Sequence, residues 1–78
     1  MEHIIITKKV AMTLFDSYKA NKNLTTHQPY PGGAGGVCKF WTKNLAFEDI
    51  GGEFKVYTKK NGNQSALIAL SELLGQEA

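Results

Sequence analysis

Apolar residues recur at helical spacing in two segments of the chain. In residues 7–22 the recurring apolar residues are Val10, Ala11, Leu14, Phe15 and Tyr18. This spacing predicts an amphipathic helix, with Thr7 as its N-cap. A second helix is predicted from about Asn63 to Leu74, with Gly75 at the position that follows a helix end. Its apolar stripe contains Ala66, Leu67, Leu70, Leu73 and Leu74.

Between the helices, three segments have the composition or alternation of strands. Residues 37–42 and 53–59 are rich in β-branched and aromatic residues, and each is predicted to be a strand. Residues 45–48 fit a third, shorter strand between them, and Gly51-Gly52 would then be the turn into the last strand. These three strands are expected to form an antiparallel meander. The isoleucine run at residues 4–6 fits either a further short strand or part of the first helix.

Residues 24–36 show no periodicity and are predicted to be one long loop, rich in glycine and proline towards its end. A loop of this length inside a small domain is often functional, although it also fits a passive spacer.

Together these elements predict a single α+β domain over residues 1–78, with the order helix, three-stranded antiparallel sheet, helix. An N-terminal strand is a possible addition, and both helices should cover one face of the sheet. The predicted core contains Leu14, Phe15, Tyr18, Phe40, Phe54, Val56, Leu67, Leu70 and Leu73.

Alternation along the first and last predicted strands sorts the lysines onto one face. Cys38 and Phe40 share the lysine-free face of one strand, and Phe54 and Val56 share that of the other. Burying an unpaired ammonium is very costly, so the helices should cover this lysine-free face. The open face is then the predicted binding surface: Lys39, Trp41, Lys43, Lys55, Tyr57 and Lys59, supported by Lys60.

Aromatic rings interleaved with lysines are typical of surfaces that bind single-stranded nucleic acid, because rings stack on bases and lysines neutralise phosphates. All nine basic residues are lysines and the net charge is only +2. Arginine is the side chain that best reads bases and clamps phosphates, so nucleic-acid binding with low sequence specificity is expected. The alternative is a compact protein-binding inhibitor or adaptor, of the kind encoded by phages and mobile elements, anchored through Trp41 and Tyr57. An exposed tryptophan on a flat sheet also permits a homodimer.

The order helix, three strands, helix resembles the topology of double-stranded RNA-binding domains. In that family, lysines at the start of the last helix contact phosphates. Here Lys59 and Lys60 precede the predicted helix instead of lying inside its first turn, so the resemblance is limited to topology.

The sequence gives no indication of catalysis, a metal or a cofactor. The glycine-rich stretch at residues 31–36 lacks the ending of a phosphate-binding loop and precedes a strand. His3, His27 and Cys38 lack the spacing of zinc ligands, and Cys38 is expected on the buried face. A non-enzymatic protein is therefore predicted. Its expected location is the cytoplasm, because its single cysteine suits a reducing compartment and its apolar runs are too short to span a membrane.

Overall fold

The computed structural model describes residues 3–33, 35–59 and 64–77. Five strands and two helices lie within them: β1 His3–Thr7, α1 Lys8–Ala20, β2 Leu24–Pro29, β3 Val37–Thr42, β4 Leu45–Asp49, β5 Glu53–Thr58 and α2 Gln64–Glu77. A short 3-10 turn occupies Pro31–Gly33. The fold is α+β, but the prediction of a three-stranded sheet is wrong.

The strands form one antiparallel sheet in the order β1-β5-β4-β3-β2. The predicted meander is its centre, and β1 and β2 extend it at opposite edges. The chain begins with a strand, β1, and has another strand, β2, after its first helix. The topological resemblance to double-stranded RNA-binding domains is therefore lost. The turn between β4 and β5 is the expected glycine pair, since Gly51 and Gly52 both have positive φ and the Ile50 N–H donates to the Glu53 carbonyl at 2.9 Å.

Strand β2 falls where the sequence predicted part of a loop. Its register against β3 shifts twice, between Leu24 and Thr26 and between Gln28 and Pro29. All its side chains after Leu24 are exposed, because the strand lies at the edge of the sheet. An edge strand with irregular register has no regular apolar alternation, and a terminal proline is tolerated there. These properties explain why the hydrophobic pattern did not reveal it.

The isoleucine run that fitted two interpretations is strand β1. It pairs with β5 over its whole length, from His3 opposite Tyr57 to Thr7 opposite Glu53. Ile4 and Ile6 turn toward the helices and join the core, whereas Ile5 is 44% exposed.

The two helices differ in how well the sequence predicted their ends. Helix α1 begins after Thr7, whose hydroxyl accepts a hydrogen bond from the Val10 N–H at 3.1 Å, so the predicted N-cap is confirmed. Helix α2 continues to Glu77, so the predicted end before Gly75 is wrong. A glycine inside a helix costs about 1 kcal/mol relative to alanine, which is too little to end a helix that packs on a sheet.

The core lies between the helices and one face of the sheet. The rings of Phe40 and Phe47 stack with centroids 4.3 Å apart, and Phe15 and Tyr18 of α1 pack against them. Leu67 and Leu70 from α2 join the same cluster, so both helices cover this face. Leu73 was predicted to be in the core, but it is 48% exposed.

Candidate binding surface of the sheet

The face without helices displays two rows of side chains that cross all five strands. The strand registers place one row in the order His3, Tyr57, Ala46, Trp41 and Thr26, which we call the aromatic row. The neighbouring row is Ile5, Lys55, Glu48, Lys39 and Gln28, which we call the charged row. Residues in register on adjacent antiparallel strands have Cβ atoms about 4.5–5.5 Å apart, so each row is a continuous line of neighbours.

Four of the predicted site residues come together in these rows. Trp41 and Tyr57 lie two strands apart in the aromatic row, and Lys39 and Lys55 occupy matching places in the charged row. All four side chains are half-buried. Ala46 lies in register between Trp41 and Tyr57 and is buried although it belongs to the open face. The two large side chains and this alanine make the centre of the surface apolar.

Two of the other three predicted residues, Lys43 and Lys59, are not in the rows. Lys43 lies beyond the end of β3, where strand alternation stops, and lines a cavity of about 360 Å³ together with Tyr18 and Ala66 on the helix side of the sheet. The Lys59 ammonium donates a hydrogen bond to the Thr42 carbonyl at 3.1 Å, which ties it to the end of β3. Lys60 lies outside the described residues.

Glu48 is the residue that the sequence analysis did not place in the site. Its carboxylate lies 3.9 Å from the Lys39 ammonium and accepts a hydrogen bond from the Tyr57 hydroxyl at 3.4 Å. The Lys55 ammonium lies 5.6 Å from the centre of the Tyr57 ring. Desolvation raises the pKa of Tyr57, and the charge of Glu48 and this hydrogen bond add to the effect. Because Phe47 faces the core, alternation within β4 places Glu48 on the open face. The sequence of this short strand alone does not show which of its side chains face outward.

Glu48 changes the charge of the surface. Glu53 follows the same alternation as Lys55, so two carboxylates accompany Lys39 and Lys55 on the open face. The local charge of these four residues is balanced. The open face is therefore an apolar aromatic centre beside mixed charges, and the strongly cationic surface that the lysines alone suggested is not present in the described rows.

A second polar cluster ties the segment after β2 to the sheet. The Tyr30 hydroxyl donates a hydrogen bond to Asp49, whose other oxygen accepts from the Gly51 and Gly52 N–H groups at 2.8 and 3.0 Å. The Lys8 ammonium lies 4.8 Å from the centre of the Tyr30 ring. The hydrogen bond from Tyr30 and those from the two glycines lower the pKa of Asp49 to about 2. The same contact raises the pKa of Tyr30 to about 12.

This cluster predicts an acid-sensitive contribution to stability. Because the pKa of Asp49 is lower in the folded chain than its ordinary 3.8, the stabilisation is present above about pH 4 and is lost as pH falls toward about 2. We expect Tyr30→Phe to lower Tm at pH 7 and the difference from wild type to shrink across this window. Tyr18→Phe is the control, because it also removes a tyrosine hydroxyl but one whose pKa is raised by burial and not by a carboxylate. Its effect on Tm should not change across this pH window. A Tyr30→Phe effect that stays constant down to pH 2 would contradict the role of the Asp49 carboxylate.

The cysteine and histidines do not form a site with acidic neighbours. Cys38 is half-buried, and its thiol lies 3.4 Å from the Gln28 carbonyl. His27 packs its ring on the edge of Phe15. Among residues 3–33, 35–59 and 64–77, His, Cys, Asp and Glu form no group of three that could hold a metal ion.

The comparisons with known proteins identify no relative: no protein-family model matches the chain, and neither curated proteins nor solved structures gave a match. Neither helix in the described part of the chain is long and apolar enough to cross a membrane.

Proposed function

We propose that this is a non-enzymatic binding protein whose open sheet face docks a protein partner, with Trp41 and Tyr57 as the anchoring side chains. The observation that supports a protein partner over a nucleic acid is the position of Glu48 in the centre of the charged row, next to Lys39 and Tyr57. A compact inhibitor or adaptor acts by occupying a partner's surface and needs no catalytic group.

The charge balance favours a protein over a polyanion. A nucleic-acid backbone lying along the charged row would pass the Glu48 carboxylate between its contacts with Lys39 and Lys55. The repulsion between this carboxylate and the phosphates would offset part of the free energy that counterion release contributes to binding. Lys39 is already near that carboxylate, and Lys59 donates to a backbone carbonyl. A protein surface, in contrast, offers both cations and anions that complement mixed charges.

The aromatic row favours the same class of partner. Tryptophan and tyrosine are enriched among the few residues that contribute most of the energy of protein interfaces, and such residues cluster at the centre with polar groups around them. Trp41 and Tyr57 flank the buried Ala46, and the charged row borders them. The surface therefore has an apolar centre and a polar border on one rigid sheet.

A capture experiment tests the proposal. Immobilised wild type, Trp41→Ala and Leu73→Ala are incubated with nuclease-treated extract of the protein's source cells, and retained proteins are quantified by mass spectrometry. Leu73 is exposed on the opposite side of the molecule, so Leu73→Ala is the matched control. We expect at least one protein to be retained by wild type and Leu73→Ala and lost with Trp41→Ala. Equal retention by all three forms would contradict the proposal.

The Glu48 carboxylate gives a second, sharper prediction. Wild type is expected not to bind a fluorescein-labelled single-stranded oligonucleotide even at low salt, whereas Glu48→Gln should gain weak binding that disappears as salt is raised. The reason is that the substitution leaves Lys39 and Lys55 without the central carboxylate. Glu72→Gln makes the same charge change on an exposed position of α2 and should not gain binding. Tight, salt-dependent binding of the oligonucleotide by wild type would contradict the proposal and would indicate a nucleic acid as the partner.

A further inference from the structure

Within residues 3–33, 35–59 and 64–77, no strand pairs with the outer edge of β1. The Ile50–Glu53 and Asn44–Lys59 hydrogen bonds fix which residue pairs of the β4–β5 ladder are hydrogen-bonded. Because such pairs alternate along antiparallel strands, Lys55 and Tyr57 bond to β4, and Phe54 and Val56 bond to β1. The partners of Phe54 and Val56 are Ile6 and Ile4. The N–H groups of the remaining β1 residues, His3, Ile5 and Thr7, therefore point to the outer edge, as do the C=O groups of His3 and Ile5. The Thr7 carbonyl is used by α1, because an N-cap carbonyl accepts the first hydrogen bond of its helix.

The two edges of the sheet differ in how they are protected. At the β2 edge, two register shifts and the terminal Pro29 interrupt the strand, and these are features that block edge-to-edge pairing. Strand β1 pairs with β5 without a shift. It contains no proline, lysine, aspartate or glutamate. An unprotected, β-branched edge of this kind is a template for pairing with another chain.

Exposed isoleucines border this edge on both faces of the sheet. Ile5 is 44% exposed on the open face, and Ile68 of α2 is 43% exposed. Helix α2 packs over β5 and β1, and its Leu73 and Leu74 line the groove shared with α1. Helical periodicity places Ile68, Ser71 and Gly75 on the opposite flank of α2, away from α1 and toward the β1 edge.

We propose that a second copy of this chain pairs with β1 in antiparallel orientation, joining the two sheets into one of ten strands. The outward-bonding residues His3, Ile5 and Thr7 are symmetric about Ile5. A two-fold axis at Ile5 therefore pairs the two strands without offset, Ile5 with Ile5 and His3 with Thr7, as an isologous interface requires. No like charges meet in this register. In this register isoleucine meets isoleucine along the seam, Ile5 with Ile5 and Ile4 with Ile6. This apolar self-complementarity is why the occupant is the same chain.

The pairing also continues the packing on both faces. Ile4 of one copy lies near Ile6 of the other on the helix side, so the two cores meet at the seam. The small residues Ser71 and Gly75 allow the flanks of the two α2 helices to approach. The pairing uses His3 and Ile5 at the β1 end of the two rows and leaves the row residues on β5, β4, β3 and β2 uncovered. The proposed partner can therefore still bind, and the dimer places two open faces side by side.

Sedimentation of the full chain over a micromolar concentration series tests the dimer. We expect wild type to dimerise and Ile5→Lys to raise the dimer dissociation constant by at least about tenfold, because two ammonium groups would meet at the axis. Ile50→Lys makes the same change at an isoleucine that is 50% exposed in the β4–β5 turn, and it should dimerise like wild type. Circular dichroism verifies that each variant is folded, and Ile68→Lys provides a second disruption if Ile5→Lys is not.

Each other outcome overturns the proposal. A wild type that is monomeric at every concentration excludes the dimer. A dimer that persists in both Ile5→Lys and Ile68→Lys but is lost in Trp41→Ala places the contact on the open face, as the exposed tryptophan first suggested. If Ile5→Lys, Ile68→Lys and Trp41→Ala all dimerise as strongly as wild type, neither the β1 edge nor the open face forms the contact.

Discussion

Replacing Phe47 with alanine is expected to lower the free energy of unfolding by about 3–5 kcal/mol, the usual cost of removing a buried aromatic ring. Phe47 is 1% exposed and lies in β4, the central strand. Its ring stacks on Phe40 and packs against Tyr18 with centroids 5.8 Å apart. A domain of 78 residues is stable by only a few kcal/mol, so much of the variant should be unfolded at room temperature.

Urea denaturation followed by far-ultraviolet circular dichroism measures this effect. Ile50→Ala is the control, because it also removes an apolar side chain from the end of β4 but one that is half exposed. Exposed substitutions usually change stability by less than about 0.5 kcal/mol. If Phe47→Ala and Ile50→Ala unfold at the same urea concentration, the stacked phenylalanine pair is not the centre of the core.

Replacing Trp41 with alanine is expected to weaken binding of the captured partner by about 30-fold or more, equivalent to about 2 kcal/mol for an interface anchor. Trp41 lies on the open face, opposite to the cluster formed by Phe40 and the helices. Its neighbours in register, Ala46 and Thr26, offer only cross-strand contacts, which contribute up to about 1 kcal/mol. The substitution should therefore reduce binding much more than stability.

Isothermal titration with the purified partner gives the affinity, and urea denaturation of the same sample gives the stability. Thr26→Ala removes the smaller side chain in register with Trp41 at the β2 edge and tests whether any change in the aromatic row has this effect. An unfolded Trp41→Ala would show that the tryptophan is structural. A folded variant with wild-type affinity would place the interface elsewhere.

The centre of the sheet could be predicted because its strands are buried on one face. Residues 37–42 were predicted with the observed bounds because β-branched and aromatic residues are concentrated there. Residues 53–59 were predicted from alternation, and the strand ends one residue earlier, at Thr58. The edge strand at Leu24–Pro29 leaves no such pattern, because it buries little and changes register. Phe47 was not included in the predicted core, although it is the most central residue of β4. Its strand is short, and a short apolar run does not show which of its side chains turn inward.

The candidate surface was predicted in part for the same reason. Alternation placed Trp41 and Tyr57 on one face and the structure brings them into one row. Lys43 was extrapolated beyond the last residue of its strand, where alternation no longer holds. The contact of Glu48 with Lys39 depends on the register between β3 and β4, and register is set by pairing that one strand's sequence does not contain.

The aromatic row contains one residue from each of the five strands, and this has a consequence for the lifetime of the protein. Because β1 and β5 come from distant parts of the chain, no fragment or partly folded form presents the complete surface. A partner that binds only the complete surface acts as a folding ligand, and at 100 times its dissociation constant it adds about 2.7 kcal/mol to the free energy of unfolding. For so small a domain that is a large share of the total. Chains without a partner would unfold more often and be degraded sooner, so the cellular amount of this protein would follow the amount of its partner.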